Sequence, residues 1–332
     1  MKGRVVLSFD YELFFGDNAG SINKTLIEPT NRILDALDSI NGKAVFFVDY
    51  LMLERMRVES EKTKSEAIII EDQLREIVRR GSRIELHLHP HWLDAVYRAG
   101  EWDFSNFDHY CLNSLPKEKI IKLFVDGVDY LTNIAKDVDP SYKIDAFRAG
   151  GWAVLPFKMM SEGFRKAGLY IDSSVTSKML INGYTHSVDF RRCPEKPVYQ
   201  FGDDVLSVDP NGDFYEVQIS SYYMGVFERI VSSLYRRIFK SRYMVLTDGT
   251  HRQKKRDMAS PHSFSESRWK GKMSSFSINE SIPFFMMLRL FFRKDMLTVF
   301  IGHPKDFNMA TIHNIELIAK YAEYKSYQDI LS

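Results

Sequence analysis

The sequence predicts an α/β fold built from parallel βα units, which form either a barrel or a doubly wound sheet. Short apolar runs rich in β-branched and aromatic residues alternate with longer amphipathic segments through the first half of the chain. A chain of 332 residues is long enough to bury a large core. No G-x-G-x-x-G motif and no P-loop follows the first apolar run, which disfavours the nucleotide-binding folds.

The predicted elements follow one another in a regular order. The strands are residues 4–9 (RVVLSF), 43–50 (KAVFFVDY), 83–89 (RIELHLH), 143–149 (KIDAFRA) and 170–174 (YIDSS). The helices between them are residues 30–42, 71–81, 117–138 and 157–169. In the first helix, Ile33, Leu37 and Ile40 recur on one face and Gly42 ends the pattern.

Composition and charge exclude several classes of partner. The net charge is +1, so nothing global argues for nucleic acid or for an acidic partner. Cys111 and Cys193 are far apart, form no metal or redox spacing, and fit a reducing compartment. No signal peptide is visible, and the most apolar stretch, residues 282–292, is too short for a membrane span and carries Arg289. We therefore expect a cytoplasmic protein that forms one domain over residues 1–332.

One stretch, residues 229–272, is strongly basic. It contains 12 Lys and Arg residues against 3 acidic residues. Such a stretch is either a solvated insertion loop or a collar that contacts an anionic substrate or a membrane surface. Its aromatic residues, Tyr235, Phe239, Tyr243 and Trp269, suit sugar stacking as well as ordinary packing.

Two carboxylates end the first predicted strand. Asp10 and Glu12 are two residues apart, so on a strand both side chains point to the same side. Acids at the end of an apolar strand are costly unless a cation lies beside them. Strand ends are also where α/β folds place their active sites, so the pair indicates a site, with a salt-bridged strand end as the alternative.

Three of the nine histidines lie within five positions of the segment ELHLHPHW, residues 85–92. An extended chain would turn His87, His89 and His91 to the same side, whereas a helical turn would make His87 and His91 neighbours at i and i+4. Pro90 is tolerated in a first helical turn. Imidazole nitrogens bind zinc, and His87, His91 and one carboxylate would form a three-ligand site open to water. The alternative is that one or two of the rings are core histidines.

Two later segments end strands with polar side chains. DAFRAGGW (residues 145–152) places Arg148 before a glycine pair, and FIGHPKDF (residues 300–307) places His303 after an apolar run. Either residue alone is a weak signal. Together with the acids and histidines above, they supply a base, metal ligands, an orienting cation and an acid at the ends of successive strands.

The order of these motifs resembles the polysaccharide deacetylase family, the NodB-type homology domain of metal-dependent carbohydrate esterases. That family carries an acidic pair after its first strand, an H-x-x-x-H motif, an arginine-containing turn and a late strand that ends in a catalytic histidine. The matching positions here are Asp10 and Glu12, His87 and His91, Arg148, and His303. Residues 168–175 (GLYIDSSV) are also similar to a family segment, and the similarity spans residues 4–220 and 297–307. In two departures, Tyr11 separates the acids and Leu88 stands where the family has a hydroxyl residue.

The resemblance implies a distorted (β/α) barrel of about seven strands. It implies one divalent metal ion, held by Glu12, His87 and His91. Zinc is the expected ion, with cobalt, nickel or iron as alternatives.

The resemblance also implies hydrolysis of an N-acetyl or other acyl group on a sugar. Asp10 would act as general base with Arg148 holding its carboxylate ionised, and His303 would protonate the leaving amine. The residues expected to contact the sugar are Trp92, Trp152, His89 and Asp172.

For a cytoplasmic enzyme of this kind, we expect an N-acetylated precursor of bacterial surface polysaccharide as substrate. A nucleotide-linked or lipid-diphosphate-linked precursor would suit the basic residues 229–272. Three alternatives stay open. One is a binuclear amidohydrolase-like barrel that uses His87 and His89 as an H-x-H pair; another is a glycoside hydrolase that uses Asp10. The third is a catalytically degenerate deacetylase that binds glycans without turnover.

Overall fold

A curled sheet of parallel strands, covered by helices, forms the centre of the computed structural model. The structure describes residues 2–183, 185–251 and 270–331. Its strands are β1 (Gly3–Tyr11), β2 (Val45–Asp49), β3 (Arg83–Leu88), β4 (Val96–Arg98), β5 (Glu101–Asp103), β6 (Ala146–Ala149), β7 (Ile171–Asp172), β8 (Leu180–Asn182), β9 (Ser187–Asp189), β10 (Val198–Phe201), β11 (Phe214–Val217), β12 (Ser221–Met224), β13 (Lys272–Ser275), β14 (Leu297–Gly302) and β15 (Ala322–Tyr324). Its helices are α1 (Glu28–Ser39), α2 (Tyr50–Glu59), α3 (Glu61–Arg79), α4 (Lys117–Lys136), α5 (Ser161–Ala167), α6 (Val226–Ile238), α7 (Lys240–Tyr243), α8 (Pro283–Phe292), α9 (Met309–Ala319) and α10 (Gln328–Leu331).

The sheet curls into a distorted barrel, in which no strand ladder among the described residues pairs β14 with β10 or β11. Its strand order is β11-β7-β6-β3-β2-β1-β14, and every neighbouring pair in that order is parallel. Strand β10 adds to β11 in the antiparallel direction. Just after β11, the N–H of Ile219 donates to the carbonyl of Val175 (2.9 Å) and the N–H of Ser220 donates to the carbonyl of Val299 on β14 (3.1 Å). The predicted (β/α) barrel of about seven strands is therefore confirmed for the described residues.

The helices that flank the sheet bury one face each, as their periodicity predicts. In α1, Ile33 and Leu37 are buried and Pro29 lies in the first turn, where its missing N–H costs nothing. The helix expected over residues 71–81 is longer than its apolar pattern indicates. It begins at Glu61, because Ser60 and Thr63 form a capping box that starts the helix earlier.

The barrel interior changes from apolar at one end to charged at the other. An apolar cluster fills the end where the strands begin: Val6, Val45, Phe47, Ala146, Ile171, Val217, Leu297, Val299 and Tyr327. Side chains two residues further along a strand point to the same side. Four polar or charged side chains therefore also point into the barrel, towards the carboxyl ends of their strands: Asp10, Asp49, His87 and Arg148. The buried core thus positions a polar cluster at one rim of the barrel.

Tyr327 closes the opposite end of the barrel. It is fully buried and its ring lies against that of Phe47 (5.8 Å between centroids). Its hydroxyl contacts the hydroxyl of Ser173 (2.9 Å) and accepts from Nη2 of Arg148 (3.2 Å). Tyr327, in the segment after β15, therefore helps to hold Arg148 in place from the end of the barrel opposite the polar rim.

Replacement of Tyr327 is expected to separate the effect of its ring from that of its hydroxyl. Tyr327→Phe keeps the ring and should lower the free energy of unfolding by about 1 kcal/mol through the lost hydrogen bonds. Tyr327→Ala leaves a cavity in the barrel and should cost about 3–5 kcal/mol. Urea denaturation of the two variants measures both values. Equal losses would contradict the placement of the ring inside the barrel.

Part of the basic stretch over residues 229–272 has regular structure. The first part of the stretch belongs to α6 and α7, and its last residue, Lys272, begins β13, which pairs with β12. Residues 252–269 lie outside the described residues, so the predicted insertion is described only on both sides of them. Within the described chain, no helix combines the length and the apolar character needed to cross a membrane.

Candidate active site

The carboxyl ends of several parallel strands bring one set of polar side chains together. In parallel strands these ends meet at one rim of the barrel, where (β/α) barrels place their active sites. The members of the cluster are Asp10 on β1, Glu12 just after it, Asp49 at the end of β2, His87 on β3, His89 just after it, Arg148 on β6 and His303 just after β14. Most of these side chains are buried, so the cluster lies beneath the rim rather than on the open surface.

Three of these side chains converge as potential metal ligands. Oε2 of Glu12 lies 3.1 Å from Nε2 of His87 and 2.8 Å from Nε2 of His89. The ligand atoms of the three residues all lie within 4.8 Å of one another. One carboxylate oxygen and two imidazole nitrogens form a donor set that zinc and related divalent ions prefer.

The backbone orients His87 for this role. Nδ1 of His87 lies 2.7 Å from the carbonyl oxygen of Arg148. Burial tends to lower the pKa of His87, but Asp10 and Glu12 raise it to about 9, so both ring nitrogens carry protons and Nε2–H donates to Oε2 of Glu12 (3.1 Å). A metal ion that replaced the Nε2 proton would leave Nδ1–H donating to the carbonyl of Arg148. Metal-binding histidines are commonly held in this way. The residues present therefore fit a divalent ion.

His91 lies outside this group, so the structure does not bring the predicted ligands Glu12, His87 and His91 together. The chain stays extended through His89 (φ −112°, ψ 92°) and turns only at Pro90–Leu93, which forms a 3-10 turn. His87 and His89 thus share one side, as alternate residues of an extended chain do. The i, i+4 arrangement of His87 and His91 does not form. The structure brings His89, in place of His91, together with His87 and Glu12.

His91 packs instead among aromatic rings. Its ring lies 4.3 Å from that of Phe15, 5.6 Å from that of Phe104 and 5.7 Å from that of Tyr110, between centroids. Neither ring nitrogen has a hydrogen-bond partner among the described residues. Burial holds the pKa of His91 well below its ordinary value, so the ring is neutral and packs as an aromatic side chain.

Asp10 is held by a buried arginine. Nη1 of Arg148 donates to Oδ1 of Asp10 (2.6 Å), while Nε donates to the carbonyl of Ser173 and Nη2 to the hydroxyl of Ser8 (2.8 Å each). Burial tends to raise the pKa of Asp10, but Arg148 and the nearby imidazoles hold it below its ordinary value. The carboxylate is therefore ionised near neutral pH, and only Oδ1 is engaged by the arginine.

His303 lies on the open side of the cluster. Its Nε2 is 3.6 Å from Oδ2 of Asp10 and 3.9 Å from Oε1 of Glu12, and its Nδ1 is 3.4 Å from Oδ2 of Asp306. Its side chain is 27% exposed, against 6% or less for Asp10 and Glu12. His303 therefore faces both the acidic pair and the opening of the barrel.

Lys305 is a member of the site that the sequence did not single out. Its ammonium donates to Oε1 of Glu12 (2.7 Å) and to the carbonyl of Leu13 (3.2 Å), and lies 4.4 Å from the ring centroid of Phe15. Burial tends to raise the pKa of Glu12, but Lys305 and His89 hold it well below its ordinary value. Lys305 thus occupies one oxygen of Glu12 and leaves Oε2 to the two histidines.

Replacement of Lys305 is expected to weaken metal binding. Lys305→Met removes the partner of Oε1, so Glu12 loses its fixed orientation, and zinc affinity should fall by about 10–100-fold. Competition with a chelating dye measures the affinity, and Lys320→Met, at an exposed position beyond α9, is the control. Tighter zinc binding in Lys305→Met would show that the ammonium competes with the ion for Glu12.

Asp49 is the second member that the sequence did not single out. It is fully buried and lies beside His87 in the β2–β3 register. Its Oδ1 accepts from the N–H of His89 (3.3 Å), and its Oδ2 has no hydrogen-bond partner among the described residues. Burial raises the pKa of Asp49 to about 7, with His87 opposing the shift and Glu12 adding to it. The sequence did contain a signal for Asp49. An acidic residue ends the apolar segment VFFVD (residues 45–49), much as Asp10 lies near the end of β1.

The residues expected to contact a sugar separate into two groups. Trp92 is fully buried against Trp102 (5.0 Å between centroids), and Asp172 is fully buried with both oxygens accepting from Ser174 (2.7 and 3.2 Å). Their side chains, which were expected to contact a sugar, are thus enclosed by the protein. Trp152 is partly exposed and has a positive φ of 58° in the turn after β6. His89 belongs to the metal-ligand group described above.

Comparison with solved structures returns carbohydrate-active proteins. A candidate polysaccharide deacetylase from Mycobacterium smegmatis is 15% identical over 96% of this chain and 83% of its own, with a TM-score of 0.44. A family 4 carbohydrate esterase from Streptomyces lividans is 10% identical over 96% and 87%, with a TM-score of 0.38. A 4-alpha-glucanotransferase from Thermococcus litoralis is 11% identical over 99% and 40%, with a TM-score of 0.51. No protein-family model and no curated protein sequence matches the chain.

These likenesses concern the fold. Polysaccharide deacetylases and carbohydrate esterases are among the structural matches of the chain. The glucanotransferase match shows that the same fold also serves a different reaction on carbohydrates. Because one fold hosts many reactions, the chemistry has to be argued from the side chains of the site.

Proposed function

We propose that the chain is a metal-dependent hydrolase that removes an acyl group, in the first place N-acetyl, from a sugar. The observation that carries this proposal is the presence of two distinct arrangements at one barrel rim. One is the converging donor set of Glu12, His87 and His89. The other is the carboxylate of Asp10, fixed by Arg148 and therefore suited to act as a base.

Glu12, His87 and His89 would hold one divalent ion, with zinc expected and cobalt, nickel or iron as alternatives. When bound, such an ion polarises an acyl carbonyl and lowers the pKa of a water molecule towards ~7. Lys305 would keep the carboxylate of Glu12 in place through Oε1. The carbonyl of Arg148 would keep Nε2 of His87 available.

Asp10 and His303 would move the protons of the reaction. Oδ1 of Asp10 is held by Arg148, so Oδ2 is the atom free to accept a proton from water. His303 faces the opening, with Asp306 close to its Nδ1, so its Nε2 would deliver a proton to the leaving amine. The two groups lie 3.6 Å apart, within reach of one bound substrate.

The turn after β6 would border the acyl group. A Cβ atom at Gly150 would lie 2.6 Å from Nδ1 of His89, so only glycine lets this backbone approach the donor set so closely. Backbone N–H groups of such a turn are suited to stabilise a developing oxyanion. Trp152, partly exposed in the same turn, would stack on a sugar ring.

We further propose a cytoplasmic N-acetylated precursor of bacterial surface polysaccharide as substrate, carrying a nucleotide or lipid diphosphate. The basic composition of residues 229–272 supports an anionic substrate. Activity on a nucleotide-linked N-acetyl sugar should then fall with rising salt, whereas activity on the free sugar should change little. Equal salt responses for the two substrates would argue against the anionic precursor.

The decisive experiment is product analysis with metal-loaded protein. N-acetylglucosamine oligomers and a nucleotide-linked N-acetyl sugar would be incubated with the protein, and acetate and free amine quantified by proton NMR. Acetate released from an intact sugar chain supports the proposal. Shortened sugars without acetate would assign the barrel to glycoside hydrolysis, and binding without turnover would assign it to a glycan-binding role.

One observation favours a second candidate, a binuclear amidohydrolase-like enzyme. His87 and His89 converge as an H-x-H pair, and Asp49, whose Oδ2 has no hydrogen-bond partner among the described residues, lies beside His87 in the β2–β3 register. A second ion would need such an additional carboxylate. Metal content separates the candidates: about one ion per chain supports the deacetylase, and two support the binuclear enzyme.

A further inference from the structure

Helix α6 turns its polar side to the protein and its apolar side to solvent. Ser232 in its middle is only 2% exposed. The large apolar residues exposed on this helix are Phe227 (75%), Ile230 (54%), Leu234 (56%) and Ile238 (66%). At 3.6 residues per turn these side chains share one face, opposite Ser232. A helix of a globular domain normally buries its apolar face, so this arrangement is inverted.

Helix α8 contacts α6 through polar side chains and also exposes large apolar residues. Arg289 of α8 pairs with Glu228 of α6, and Nη1 of Arg236 donates to the carbonyl of Glu280 just before α8 (3.0 Å). The large apolar residues that α8 exposes are Phe284 (68%), Leu288 (44%), Phe291 (68%) and Phe292 (74%). We call the exposed apolar residues of both helices the apolar face. Clusters of large exposed apolar side chains on a protein surface indicate a binding site.

The segments that carry the apolar face are basic. Residues 225–251 and 270–296 contain ten Lys and Arg residues against four Asp and Glu residues. One of those acids, Glu228, is paired with Arg289. Arg237 follows Leu234 by three positions and so lies on the same side of α6, and Lys294 follows the end of α8. The partner of the face is therefore apolar at its centre and anionic around it.

We propose that the apolar face binds the surface of an anionic lipid bilayer. Its Phe, Leu and Ile side chains enter the boundary between headgroups and acyl chains, and the surrounding Lys and Arg side chains contact lipid phosphates. A second copy of the chain fits less well, because two identical cationic surroundings repel each other. The contact is peripheral, since no described helix could span a bilayer. The inference does not depend on the reaction at the barrel rim.

Vesicle sedimentation of the full chain tests the proposal. The protein should sediment with vesicles of phosphatidylcholine and phosphatidylglycerol, and much less with phosphatidylcholine alone. The double variant Phe227→Ser/Phe291→Ser should lower the partition coefficient by at least about tenfold, and Arg237→Glu by about fivefold or more. Val58→Ser, at a position 72% exposed at the end of α2, is the matched control and should leave binding unchanged. Far-UV circular dichroism verifies the fold of each variant.

Two results would overturn the proposal. One is the absence of sedimentation with anionic vesicles, or binding that the double serine variant leaves unchanged. The other is self-association in sedimentation velocity that the double variant abolishes, which would assign the face to a second copy of the chain. Because the variants lie outside the barrel rim, acetate release by the same proteins reports separately on the reaction.

Discussion

Asp10→Asn is expected to lower the turnover number by about 10²–10⁴-fold, the contribution typical of a general base. In the wild type, Arg148 donates to Oδ1 of Asp10, and the side-chain oxygen of the asparagine can still accept this hydrogen bond. The amide nitrogen that takes the place of Oδ2 cannot accept a proton. The donor set of Glu12, His87 and His89 does not include Asp10, so the bound metal should be retained. Acetate release under saturating substrate, together with elemental analysis of metal per chain, measures both effects.

A control separates this catalytic loss from damage to the site. Asp17→Asn removes a carboxylate a few residues further along the chain, at an exposed position, and should leave turnover and metal content unchanged. Loss of metal in Asp10→Asn would assign Asp10 to the ligand set instead. Full turnover with metal retained would exclude Asp10 as the base.

The fold and the strand-end positions of the site were predictable because both depend on short-range patterns. Alternation of apolar strands with amphipathic helices indicates parallel βα units, and parallel strands bring their carboxyl ends to one rim. Residues two apart on a strand share a side, so Asp10 and Glu12 were expected together. Closure of the barrel through Ser220 was not predictable, because one backbone hydrogen bond after β11 leaves no periodic signal.

Which histidine lies beside His87 depends on where the chain stops being extended. A turn that began at His87 would pair it with His91, whereas the observed turn begins at Pro90 and pairs it with His89. Pro90 disfavours a helical conformation at the preceding His89, which was a signal for the extended chain that the motif spacing outweighed. Lys305 was missed for a different reason, since a lone lysine after a strand has no pattern that marks it as buried. The outward apolar face of α6 likewise reads, in sequence, as an ordinary amphipathic helix.

Phenylalanine replacements at the two histidines should decide between these ligand sets. His89→Phe removes the Nε2 ligand atom that lies 2.8 Å from Oε2 of Glu12. Loss of a residue that only supports a metal ligand typically lowers affinity about 10–100-fold, and loss of this ligand should lower zinc affinity further. His91→Phe keeps an aromatic ring among Phe15, Phe104 and Tyr110 and removes nitrogens that have no hydrogen-bond partner among the described residues. It should therefore keep one ion per chain and the wild-type unfolding midpoint.

His89→Phe and His91→Phe make the same replacement at positions only two residues apart. A general effect of the added phenyl ring therefore cannot abolish metal binding in one variant and leave it intact in the other. Elemental mass spectrometry of the purified variants, followed by zinc titration against a chelating dye, measures ion content and affinity, and His87→Phe serves as the positive control for loss. If His89→Phe retained zinc and His91→Phe lost it, the ligands would be His87 and His91, as in the H-x-x-x-H motif. It would also mean that the Pro90–Leu93 turn rearranges when the ion binds.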